Sequence, residues 1–101
     1  MVSVQIIRYT DESQPGWVEC ELVDIWGRAH AFVDKMPMFS AADLDFGSTY
    51  PQPGVIGCRS VRHWHDDTGR EIVTVDTELP DHVESTTGAT RFDVSPDRIV
   101  G

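Results

Sequence analysis

The sequence predicts an all-β domain, a small antiparallel barrel or sandwich of six to seven short strands with one short helical turn. The first observation behind this is a recurrent reversal, Asp24-Ile25-Trp26-Gly27-Arg28 and again Asp66-Asp67-Thr68-Gly69-Arg70, with a weaker echo at Ser85-Thr86-Thr87-Gly88. The two stronger ones carry an Asp at the first position. Each also holds the glycine that a three-residue hairpin loop needs at positive φ. The second is the apolar/polar alternation of the flanking runs, which has the period of a strand. The third is length: 101 residues suffice for one modest core, so a single domain over 1–101 is expected. A barrel is favoured over a sandwich because three hairpins with closing terminal strands leave fewer exposed edges.

Val2, Val4 and Ile6 alternate with Ser3, Gln5 and Ile7, so residues 2–9 form a first strand with one face inward. Asp11 to Gly16 breaks it. From Trp17 to Val23 the inward set is Val18, Cys20 and Leu22, while Trp17, Glu19 and Glu21 point the other way. A three-residue loop at Ile25-Trp26-Gly27 then pairs Asp24 with Arg28, Leu22 with His30 and Cys20 with Phe32. Pro37 ends that strand, and Ser40 to Leu44 forms one helical turn with Ser40 as N-cap and Asp43 at N3. After the stiff segment Gly47–Gly54, the same loop rule sets Trp64 opposite Ile72, His63 opposite Val73 and Val61 opposite Val75. The inward face there is Val61, His63, Val73 and Val75. Ile56 and Cys58 lie on the opposite phase, which predicts a β-bulge near Arg59-Ser60 or a strand buried on both sides. His82-Val83-Glu84 and Ala89–Val94 form a third hairpin with His82 opposite Phe92, and Arg98-Ile99-Val100 pairs with a sheet edge.

Composition narrows the function classes. Hydrophobic residues at 40% and charged residues at 25% are ordinary for a globular domain. The net charge is −9, from eight basic residues, with Lys35 the only lysine, against seventeen acidic ones. That balance disfavours a nucleic-acid partner, which needs a basic face. The start Met1–Arg8 lacks the basic and apolar regions of a signal peptide, and no apolar run approaches a membrane span, so a cytoplasmic protein without a membrane partner is expected. Cys20 and Cys58 are then reduced and buried among apolar neighbours.

No motif fixes a reaction or implies a cofactor, and no catalytic residue is assigned. His63 and His65, at i and i+2 on one strand face near Asp66 and Asp67, could place two nitrogens on a metal. Glu19 and Glu21 have the same spacing but read as a solvated face, and Cys58 as a nucleophile would need His63 or His82 beside it. Trp17 and Trp64 fall on outward phases, with Ile72 opposite Trp64 and Tyr50 heading the Pro/Gly segment. These four are the candidate binding residues, since outward aromatics flanked by polar groups can anchor a partner. The leading expectation is a non-catalytic binding module of the immunity or inhibitor type, its partner a basic protein or a second copy in a homo-oligomer. The alternatives are a small metal-dependent enzyme using His63 and His65, and a barrel that binds a small ligand at its mouth.

At Tyr50-Pro51, Gly54, Ile56 and Cys58, then Val75-Asp76-Thr77, Glu84-Ser85-Thr86, Gly88, Phe92 and Val94, the chain resembles small uncharacterised bacterial β-rich proteins. With Gln14-Pro15-Gly16-Trp17-Val18-Glu19 the likeness covers most of its length. What the resemblance implies is a set of structural turns and strands, with no activity, ligand or functional residue attached.

Overall fold

In the structure, a computed structural model that describes residues 1–13, 15–42 and 44–101, seven strands form two antiparallel sheets. The strands are β1 (Val2–Asp11), β2 (Trp17–Val23), β3 (Ala29–Lys35), β4 (Gln52–Ile56), β5 (Arg59–His65), β6 (Glu71–Asp76) and β7 (Arg91–Val94). One sheet has the order β3-β2-β1-β4 and the other β5-β6-β7. The sheets do not join into a closed barrel, so the architecture is a sandwich. Val2, Val4, Ile6, Val18, Cys20, Leu22 and Phe32 of the first sheet share one core with Val73, Val75, Phe92 and Val94 of the second. Phe32 and Phe92 meet edge to face across that core, with ring centroids 5.5 Å apart.

The glycine-closed turns set the register as the sequence predicts. Leu22 lies opposite His30 and Cys20 opposite Phe32, and Trp64 lies opposite Ile72 and His63 opposite Val73. Gly27, Gly69 and Gly88 have φ of 83°, 86° and 86°, a region in which a Cβ would crowd the backbone. In both aspartate turns one carboxylate oxygen accepts two backbone N–H groups. Asp24 takes Trp26 and Arg28 at 2.9 Å, and Asp66 takes Thr68 at 2.9 Å and Arg70 at 3.0 Å.

The expected change of face between Ile56 and Val61 has two physical parts. The chain passes from one sheet to the other at Gly57-Cys58, because β4 pairs with β1 and β5 with β6. A bulge then falls at Val61, so Ser60, not Val61, lies opposite Val75. Cys20 is fully buried, but Cys58, in the crossing, is only half-buried.

Two further expectations are corrected. The helical turn is a 3₁₀ turn at Met36–Met38, beginning four residues before the expected Ser40–Leu44, with Pro37 in its first turn where no N–H donor is required. Ser40 Oγ does accept the N–H of Ala42 at 2.9 Å, and Asp43 lies outside the described residues. Residues 82–84 form no strand: His82 has φ of 52°, and buried Thr77 bonds Val83 through both backbone and hydroxyl. Phe92 therefore pairs with Val75 on β6. The chain end does return to the first strand, through Val2 opposite Ile99.

Candidate functional site

The outer face of the β5-β6-β7 sheet presents Arg59, Arg62 and Trp64 from β5, Thr74 and Asp76 from β6, and Arg91 and Asp93 from β7, as strand alternation from the paired registers requires. The β2–β3 turn crosses one end of this face. It is tied there by the Ile25 N–H, which donates to the Asp93 carbonyl at 2.8 Å, and by Arg70, which donates to the Ile25 carbonyl at 3.3 Å. This crossing brings Trp26 beside Trp64, with ring centroids 6.4 Å apart. Arg62 stacks 4.6 Å from the centre of Trp64 and Arg70 5.1 Å from the centre of Trp26. The result is a layered row, Arg62–Trp64–Trp26–Arg70, of which Arg62, Trp64 and Trp26 border an open concavity of about 580 Å³.

One carboxylate orients both indoles. Trp26 Nε1 donates to Asp93 Oδ2 at 3.2 Å, and Trp64 Nε1 donates to Thr74 Oγ1 at 3.1 Å. The Thr74 hydroxyl in turn donates to Asp93 Oδ1 at 2.6 Å. Beside Trp26, a smaller hollow of about 220 Å³ is lined by Asp24, Arg28, His30, Thr74 and Arg91 among others. There His30 Nε2 donates to Asp24 Oδ2 at 2.8 Å. Burial raises the Asp24 pKa, and the bonds from His30, Arg28 and Trp26 more than reverse this, so it stays below the usual carboxylate range.

The charges of the chain are sorted by this face. Five of the eight basic residues, Arg28, Arg59, Arg62, Arg70 and Arg91, surround it together with Asp24, Asp66, Asp67, Asp76 and Asp93. The rest of the sequence holds three basic and twelve acidic residues. Asp24, Asp66 and Asp76 are each paired with an arginine of the set. Arg62 has no carboxylate within ion-pair distance among the described residues.

The four candidate binding residues do not converge. Trp64 and Ile72 are cross-strand neighbours on the same face, but Ile72 is 0% exposed, so it is not a contact surface. Trp17 lies on the other sheet, opposite Lys35 and Asp11, beside Val33 and His82. Tyr50 packs against the core and donates its hydroxyl to the Asp45 carbonyl at 2.6 Å; burial raises its pKa. Near it, Tyr9 and Phe46 meet edge to face at 6.2 Å in a second concavity with Glu12 and Asp45. Trp26 and the arginines escaped the sequence reading. The available signal was a tryptophan at the middle of a turn, a place that needs no apolar side chain.

His63 and His65 are both exposed, opposite Val73 and Glu71. Among the described residues no group of three or more His, Cys, Asp or Glu is arranged to hold a metal ion. Glu19 is half-buried on an open sheet face and pairs with Arg8 at 3.3 Å. No helix is long and apolar enough to cross a membrane among the described residues. Comparisons with protein-family models, curated proteins and solved structures returned no match.

Proposed function

We propose that the protein is a non-catalytic binding module that docks a protein partner where the β2–β3 turn crosses the outer face of the β5-β6-β7 sheet. The observation that supports this best is Trp26, which is 42% exposed yet fixed by Asp93 on its N–H edge and by Arg70 over its ring. An indole already held in place loses little conformational freedom on docking. Tryptophan and arginine are also the side chains that most often carry the energy of an interface. A core need not hold Trp26 at a turn, because Phe32 and Phe92 already fill the space between the sheets.

The test is affinity capture from a lysate of the source organism with wild type, Trp26→Ala and, as a control on the far sheet, Glu21→Gln. The expected result is a protein retained by wild type and Glu21→Gln and lost with Trp26→Ala. Retention by Trp26→Ala, or no protein enriched by wild type, would overturn the reading.

A further inference from the structure

Sheet edges offer unpaired N–H and C=O groups, and folded proteins cover or blunt them. Three of the four edges here are covered. The N–H of Thr86 donates to the Ala31 carbonyl on β3, the N–H of Val55 on β4 donates to the Phe39 carbonyl, and the N–H of Ile25 donates to the Asp93 carbonyl on β7, each at 2.8 Å. The fourth edge, β5, receives no backbone hydrogen bond from outside its sheet among the described residues. The Asp66 N–H donates to the Arg70 carbonyl across the hairpin. By antiparallel alternation Trp64 then bonds toward β6, and His63 and His65 turn their N–H and C=O groups to the open side.

The charged side chains of this edge share one sign. From Arg59 to His65 they are Arg59 and Arg62, with no acid, in a chain whose net charge is −9. We infer that β5 is a strand-addition site that pairs with an extended, acidic segment of a partner protein. The inference rests on the proposed binding face and extends it from Trp64 to the adjoining backbone. Added alongside β5, such a segment gains main-chain hydrogen bonds from His63 and His65. Its alternate carboxylates lie beside Arg62 and Arg59, where opposite charges on neighbouring strands attract. A second copy fits less well, because no register of β5 against β5 sets an arginine opposite a carboxylate.

The probe is a short blocked peptide of alternating glutamate and threonine, compared with its lysine–threonine counterpart, with amide exchange of the ¹⁵N-labelled protein followed by NMR. The expected result is slowed exchange at His63 and His65 with the glutamate peptide alone, and binding about tenfold weaker in Arg62→Glu. His63→Pro, which removes an outward N–H and spares the β5–β6 ladder, must abolish binding even if Arg62→Glu fails to fold. Equal protection by both peptides, no protection, or a peptide-free dimer in sedimentation with the two amides already protected would overturn the inference. Loss of partner capture in Trp26→Ala with β5 unprotected would sink strand addition alone and leave the binding face standing.

Discussion

Asp93 shows how one side chain can set the geometry of a whole face, since both indole N–H groups reach it, Trp26 directly and Trp64 through Thr74. In a Trp17→Phe background, Asp93→Ala is expected to shift the fluorescence maximum to the red and raise acrylamide quenching as both rings loosen. An unchanged spectrum would show that stacking on Arg62 and Arg70 suffices. The glycines separate two kinds of constraint at the same scale. A Cβ on Gly69 would meet nothing within 4 Å, but its φ is 86°, so Gly69→Ala is expected to cost about 1 kcal/mol from the backbone alone. A Cβ on Gly54 would lie 2.9 Å from Ile6 Cγ1 and 3.1 Å from the Phe39 carbonyl. Gly54→Ala therefore loses about 1–3 kcal/mol through overpacking, and urea denaturation measures both.

At the scale of elements, the two aspartate hairpins were legible because their causes are local: an acid that accepts its own turn's N–H groups and a glycine at positive φ fix which residues face each other. The 77–90 connection was not legible, since it is organised by Thr77 reaching forward to Val83 and Thr90, a choice made by burial and not by spacing. The Trp26–Trp64 pairing was hidden for a similar reason, because Trp26 sits in the turn of one sheet's hairpin and Trp64 on a strand of the other sheet, and they meet only when that turn crosses it. The β4-to-β5 crossing was half legible. The phase conflict between Ile56 and Val61 was visible, but its resolution by a change of sheet was not. That crossing yields a prediction. Cys20 is fully buried, and burial pushes its thiol up to about 12, while Cys58 in the crossing is partly open. A disulfide-exchange reagent is expected to titrate one thiol in the native protein and the second only after denaturation. Two fast thiols would mean that the core around Cys20 opens readily.

Across the whole molecule, the acids that hold turns and ion pairs make stability depend on pH in one direction. Asp66 is lowered to about 2, first by the Thr68 hydroxyl and further by Arg70 and backbone N–H groups, against the opposing effect of burial. Asp76 is lowered first by the Glu78 N–H, with Arg91 and Arg59 adding to it, and Asp24 is lowered as well. An unfolded aspartate titrates at about 3.9. Below that value the unfolded chain binds more protons than the folded one, so stability is complete above it and falls as pH drops toward about 2, the folded value of Asp66. Asp66→Asn should flatten that acid limb in urea midpoints taken from pH 2 to 7, whereas an equal slope would mean that other carboxylates set it. The core that these turns align joins the two sheets face to face, with Phe32 at 0% exposure against Phe92 at its centre. Phe32→Ala is expected to cost about 3–5 kcal/mol, a large part of what a domain of this size has to lose. Because one core serves both sheets, that loss should appear as a single shifted transition by circular dichroism and by tryptophan fluorescence. Two separated transitions would show that the three-stranded sheet, with its indoles and arginines, unfolds independently of the four-stranded one.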